Sequence, residues 1–212
     1  PPGTLAQSLS QRILSLLHQT RLIRANDLRI LYQPPPTPDD EETPDAPPRI
    51  EIKAYWTLYI DILFISLDGN PFDAAWGAVL AALRNTILPR AWWDPDLETV
   101  LFSDAVVEAR KLRLNGLPIP ATFAVFNPEE AKATKSGEER AWILADPDTL
   151  EEGLCREQVC IVVDGESGKK GKMRKIEKSG GGVVTRDLTK EVVDKAEERW
   201  REWHSALVEA QT

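Results

Sequence analysis

The sequence predicts an α/β (α+β) fold, with helices covering one face of a mixed sheet. Three observations predict it. Several short stretches alternate at the period of a strand, longer stretches carry apolar residues at the period of a helix, and the two kinds are interspersed along the chain. With 42% hydrophobic and 28% charged residues over 212 positions, one sizeable core in one domain (1–212) is expected, and fibrous or fully disordered classes are excluded.

Within residues 4–18, Leu5, Leu9, Ile13, Leu16 and Leu17 fall at helical spacing, which predicts an amphipathic helix packed onto the rest of the protein. A short strand is expected at 27–32. Residues 33–48 are dense in Pro and carry Asp39, Asp40, Glu41, Glu42 and Asp45; missing backbone donors and like-charge repulsion predict a solvated, mobile loop. From 50 to 67 the alternation puts Trp56, Leu58, Ile60, Ile62 and Phe64 on one face and Tyr55, Tyr59, Leu63, Ile65 and Leu67 on the other. A strand apolar on both faces is an interior strand.

That strand ends at the turn Asp68-Gly69, after which Asn70 suits an N-cap and Pro71 the first helical position. The helix buries Phe72, Ala75, Trp76, Val79, Leu80, Leu83 and Ile87, and Pro89 stops it. Residues 92–114 scatter acids among single apolar residues and read as irregular chain leading to a strand near Lys111. Trp92-Trp93 is a candidate interface anchor there, whereas Trp76 and Trp142 read as core. Strands follow at 121–126 and 142–145, joined by a charged, mobile loop at 127–140. Strands at 157–163 and 172–177 flank the hairpin turn Asp164-Gly165-Glu166-Ser167-Gly168. A final helix at 187–209 places Leu188, Val192, Ala196, Trp200, Trp203 and Leu207 on one side and charge on the other.

A formal net charge of −8 argues against holding nucleic acid by the overall field, so any nucleic-acid contact is local or shared with partners. The apolar stretch 58–67 contains Asp61 and is too short to span a membrane, and no charged-then-apolar leader opens the chain, so a soluble intracellular protein is expected. Cys155 and Cys160 lie an odd five positions apart in an apparent strand, on opposite faces, which predicts reduced core thiols rather than a bridge. No Cys or His pair has metal-ligand spacing, and neither metal nor cofactor is expected. A chain opening at Pro1 rather than Met suggests a fragment or a trimmed chain.

The run Tyr55-Trp56-Thr57-Leu58-Tyr59-Ile60-Asp61-Ile62-Leu63, with Leu67-Asp68-Gly69-Asn70-Pro71-Phe72-Asp73-Ala74-Ala75, resembles a signature of the ribonuclease PH-like subunits of the eukaryotic RNA exosome. Pro1-Pro2-Gly3, Ala6-Gln7-Ser8-Leu9-Ser10-Gln11-Arg12, Pro118-Ile119-Pro120-Ala121-Thr122-Phe123-Ala124-Val125-Phe126 and Ala145-Asp146-Pro147 sit in the family's order. The resemblance implies a ribonuclease PH-like fold in which Pro1-Pro2-Gly3 falls midway, after N-terminal strands. This chain then carries the later part, with an exposed edge and an apolar face that need a partner.

Active members hold phosphate with a Thr-Arg pair on the turn before the helix. The matching positions here are Pro71 and Phe72, which offer no cation and no side-chain hydrogen bond. Losing such a donor costs about 3–4 kcal/mol of transition-state stabilisation. Two family acids six residues apart match Asp146 and Glu152; they read either as a surviving metal or proton-transfer pair or as a solvated acidic turn, and the missing arginine favours the turn. Asp68 and Asp73 suit turn and first-turn positions, and Asp61 on an interior strand is expected to pair with a cation. Gly180-Gly181-Gly182 lacks the ending of a phosphate loop and reads as a flexible turn.

Lys169, Lys170, Lys172, Arg174, Lys175 and Lys178 form a basic cluster, with Lys170, Lys172 and Arg174 expected on one strand face. It is either a contact for RNA or an acidic subunit, or a plain solvated hairpin; no aromatic residue interleaves to support stacking. The family implies a non-catalytic ring subunit. Its partners are other ribonuclease PH-like subunits in a six-membered ring, RNA-binding cap subunits and a separate nuclease, with RNA passing through the channel and no membrane. Its implied locations are nucleus, nucleolus and cytoplasm, and the alternative is an active phosphate-dependent 3′→5′ exoribonuclease.

Overall fold

The computed structural model describes residues 3–35, 49–126, 141–155, 157–165, 171–181 and 184–209. The predicted loops, apart from 33–35 of the first, together with the hairpin turn after Gly165, Lys169, Lys170 and Gly182, lie outside them. The chain divides into two compact units: residues 1–22, 62–81 and 115–212 form the first, and 23–61 with 82–114 the second.

The first unit centres on a four-stranded antiparallel sheet with the order β10-β9-β7-β8, formed by β7 (Ile119–Phe126), β8 (Trp142–Ala145), β9 (Glu157–Asp164) and β10 (Lys172–Ser179). β7 and β9 are the inner strands and are buried along almost their whole length, which matches their apolar runs. The last helix, α4 (Arg186–Glu209), packs along β7 and β9 through Leu188, Val192, Ala196 and Trp200. Its Trp200 Nε1 donates to the Leu117 carbonyl at 2.8 Å.

Helix α1 (Thr4–Thr20) buries Leu9, Ile13 and Leu16 and ends on Arg21 in the left-handed region. Helix α2 (Pro71–Asn85) buries Phe72, Ala75, Trp76, Val79 and Leu80 within this unit, and Trp76 Nε1 donates to the Pro118 carbonyl at 2.6 Å. Gly77 lets α2 approach α4 closely, because a Cβ there would run into the Trp203 ring.

The second unit is built of small antiparallel pairs: β1 (Arg29–Tyr32) with β2 (Glu51–Tyr55), β3 (Ile87–Leu88) with β6 (Arg110–Lys111), and β4 (Ala91–Asp94) with β5 (Thr99–Phe102). The 3₁₀ turns Ala25–Leu28 and Val106–Glu108 complete it.

Several expectations are corrected. The interior strand expected over 50–67 pairs only as far as Tyr55, and residues 56–69 form no strand; Tyr59 is 89% and Ile65 96% exposed. A strand exists where a neighbour takes its backbone bonds. Beyond Trp56, whose N–H reaches Leu28 O, no strand lies alongside among the described residues. Asp61 is accordingly exposed and in no ion pair with a described residue, rather than paired. Trp142 is 66% exposed rather than core, since it opens the edge strand β8.

Residues 91–102 are a hairpin, not irregular chain. Asp94 Oδ1 accepts from the N–H groups of Asp96 and Leu97, and Glu98 takes the left-handed conformation that closes the turn. The expected helix through Ile87 stops at Asn85, and Ile87 pairs with Lys111 as an exposed strand residue. Cys155 caps the short helix α3 (Thr149–Leu154) rather than lying in a strand; both thiols are free and buried.

Candidate functional site

Two turns of the first unit meet where the sequence places its acids. Gly69, at φ +82°, closes the first turn, and a Cβ there would strike the Pro147 carbonyl oxygen of the second. Asn70 and Asp146 on either side also take left-handed conformations, at φ 39° and 55°, which short polar side chains tolerate best after glycine.

Asn70 then joins everything. Its backbone N–H donates to Glu152 Oε1 at 3.1 Å, and its Nδ2 donates to Asp146 Oδ1 at 2.6 Å and to Asp73 Oδ2 at 3.0 Å. The side chain therefore does not cap α2, as its position had suggested; it bridges two carboxylates, and the backbone N–H holds the third. Asp73, 2% exposed, also accepts from Thr122 N and Thr122 Oγ1 on β7, both at 2.8 Å. Arg199 of α4 brings the counter-charge, with a terminal guanidinium nitrogen 3.7 Å from Asp73 Oδ2 and 3.8 Å from Asp146 Oδ1. Those separations exceed a direct hydrogen bond, so the attraction is Coulombic. Asp148 and Glu151 form a reciprocal capping box that starts α3 and holds Glu152 in its first turn. A depression of about 360 Å³ opens beside Asp146 and Arg199, lined also by Phe123, Lys195, Glu198 and Trp203.

Pro71 is the first residue of α2, and Phe72 is 2% exposed, inside the core. The Phe72 ring carries the Arg12 guanidinium of α1 stacked at 4.0 Å from its centroid. Arg12 also pairs with Glu177 Oε2 at 3.1 Å. Burial pushes the Glu177 carboxyl up, but Arg12 and Lys175 outweigh it and hold it below the usual range.

Of the predicted basic cluster, Lys172 is exposed, whereas Arg174 turns back to give two hydrogen bonds to buried Asp164, at 2.9 and 2.7 Å. The ladder register slips between Met173 and Lys175, so Arg174 is the extra residue of a bulge and the expected shared face with Lys172 is lost. Lys175 pairs with Glu177, and Lys178 with buried Glu157. Sequence reasoning found Asp146, Glu152, Pro71 and Phe72 but missed Asn70, Thr122 and Arg199 as their partners. Among the described residues, no group of three or more His, Cys, Asp or Glu is placed to hold a metal ion.

The model of the 3′ exoribonuclease family, domain 1 (RNase_PH), matches residues 1–89. The chain is 30% identical to "Exosome complex component rrp43" of Schizosaccharomyces pombe over 200 residues, 94% of this chain and 60% of that protein. This chain is similar in sequence to ribonuclease PH-like exosome components. It is also 33% identical over 150 residues to "Exosome complex component Rrp42" of Methanothermobacter thermautotrophicus, 71% of this chain and 48% of the relative. An archaeal exosome core structure aligns with a TM-score of 0.48 at 22% identity, over 68% of this chain and 47% of that one. The chain thus spans half to three fifths of the length of these curated relatives. The ribonuclease PH-like α/β class expected for the chain agrees with the family match.

Proposed function

We propose that this chain is a subunit of an RNA exosome core ring that supports 3′→5′ RNA processing and degradation, including rRNA maturation and mRNA decay, without cutting RNA itself. The observation that carries the proposal is the missing phosphate donor: Phe72, where active members are expected to carry arginine, is buried in the core and offers no hydrogen bond. Asp146 and Glu152, which would serve proton transfer or a metal in an active relative, each accept a hydrogen bond from Asn70 and so fasten two turns together. Pro71 and Phe72 supply no phosphate donor beside them, and anionic RNA and phosphate would meet three carboxylates against one shared guanidinium. The names of its relatives support exosome membership. Partners in this reading are neighbouring ribonuclease PH-like subunits, RNA-binding cap subunits and a separate nuclease, in nucleus, nucleolus and cytoplasm.

One observation favours the second reading, a phosphate-dependent exoribonuclease: Arg12 brings a guanidinium back to Phe72. Its charge is already taken by Glu177. The test incubates RNA and inorganic phosphate with the chain, with Arg12→Ala and with Glu177→Gln, and measures nucleoside diphosphate release. No release above background is expected from any of them. Release by the natural chain that Arg12→Ala abolishes would sink the silent reading. Co-purification of a tagged chain without other exosome subunits would sink ring membership.

A further inference from the structure

The basic cluster legible in the sequence is largely consumed by internal pairs, but the second unit assembles another from segments far apart in sequence. Residues 24–29 carry Arg24 and Arg29, and residues 110–113 carry Arg110, Lys111 and Arg113; Asp27 is the one acid in either stretch. The fold brings the stretches together. Arg110 donates a guanidinium N–H to the Asp27 carbonyl at 2.6 Å, which docks the 3₁₀ turn Ala25–Leu28 beside β6. Arg24 is the N-cap residue of that turn, and its carbonyl accepts from Asp27 N at 2.9 Å. On the other side, β6 is held by β3 and by Leu112 N donating to Thr86 O at 2.9 Å. Leu112 is buried, whereas its neighbours Lys111 and Arg113 are exposed.

Arg24, Arg110, Lys111 and Arg113 are all exposed, and among the described residues none has an ion-pair partner. On a chain of formal charge −8, whose other cations are so often paired, four uncompensated cations on one small scaffold stand apart. Arginine predominates, and its planar fork suits phosphate oxygens. No aromatic residue lies within the two stretches, so the fitting ligand is a repeating phosphate backbone read without base stacking.

We propose that residues 24–29 and 110–113 form a sequence-independent contact for the backbone of single-stranded RNA. That the polyanion is RNA rests on the exosome reading. Arg110 is spared in the test because it positions the turn. The probe is a fluorescein-labelled oligouridylate, titrated by anisotropy with the full chain, with Arg24→Ala/Lys111→Ala/Arg113→Ala, and with Lys190→Ala/Lys195→Ala/Arg201→Ala. The last removes the same charge from α4, where each cation is already paired. Circular dichroism checks that both variants keep their helices.

With three phosphates contacted, log affinity falls with log salt at a slope of roughly −2, about 20-fold between 50 and 200 mM. The first variant is expected to lose that affinity and flatten the slope, and the second to bind as the natural chain does. Equal binding by all three, equal losses in both variants, or no binding at low salt each overturns the proposal. So does a preference for polyglutamate over the oligonucleotide, which would identify an acidic protein as the partner. Ring membership is tested separately by co-purification, so either idea can fail alone.

Discussion

Replacing Asp73 by Ala tests the candidate site where its geometry is most demanding. The carboxylate is 2% exposed and accepts three hydrogen bonds, two from Thr122 and one from Asn70, with Arg199 nearby. Bonds to a charged group contribute roughly 1.5–3 kcal/mol each, but they do not add, because Asn70 Nδ2 keeps Asp146 and the lost charge relaxes Arg199. The Thr122 N–H and hydroxyl keep no acceptor, and removing one partner of a buried ionic cluster costs about 3–5 kcal/mol. Against a total stability of about 5–15 kcal/mol this is a large fraction. At 2–4 °C per kcal/mol for a chain of this size, the melting temperature should fall by roughly 6–20 °C. Asp73→Asn keeps one oxygen for Thr122 and should lose less than half as much. The assay is urea and thermal unfolding followed by tryptophan fluorescence, with Asp148→Ala as the comparator that removes an exposed cap worth about 1 kcal/mol. A Asp73→Ala loss no larger than that of Asp148→Ala, or equal losses for Ala and Asn, would refute the account of a buried acceptor.

Gly69→Ala forces a Cβ into the Pro147 carbonyl at a left-handed φ and should cost more than about 1 kcal/mol, whereas Gly153→Ala, with open space around it, should not; unfolding midpoints compare them. Because the Glu177 carboxyl is held below its ordinary 4.5, its stabilisation is present above that value and is lost as pH falls through the depressed one. Glu177→Gln should therefore flatten the decline of stability with acid below about pH 5 in pH-dependent urea melts. Burial pushes the Cys160 thiol up to about 11, so it should resist a thiol reagent at pH 8 until the chain unfolds, and its contribution to stability should fade as pH rises from 9 towards 11. With Tyr59, Leu63 and Ile65 almost fully exposed, the isolated chain should self-associate; a stable monomer by sedimentation would contradict that.

Three helices were legible because their apolar residues recur at the helical period and each is held by a buried stripe: Leu9, Ile13 and Leu16 in α1, Trp76 and Leu80 in α2, Val192 and Ala196 in α4. The stretch 56–67 shows the limit of that logic. Its two apolar faces report what it would do beside a partner strand, and a pattern carries no information about whether that partner is there. β4 and β5 escaped because the tip Asp94-Pro95-Asp96 breaks the alternation, although the same residues are a turn signal. The basic strand face failed for a local reason, a one-residue bulge at Arg174 that reversed the expected side. Asp146 and Glu152 were found by their order along the chain, whereas Asn70, Thr122 and Arg199 meet them only through folding, and no periodicity links a turn, a strand and a distant helix.

The acid pair also explains why an inherited motif is poor evidence of activity. A catalytic carboxylate pair needs cations beside it to receive the phosphate. Here one oxygen of Asp146 takes the amide of Asn70 at 2.6 Å, one oxygen of Glu152 takes its backbone N–H, and Asp73 binds the same amide from the helix. Losing Asp146 or Glu152 would loosen the turn that starts α2, so a structural role alone accounts for both acids. The informative positions are the donors, because phosphate is held through cations and N–H groups that a phenyl ring cannot replace. Phe72, the position the resemblance matches to that donor, lies in the core, and the Arg12 guanidinium stacked on it is committed to Glu177.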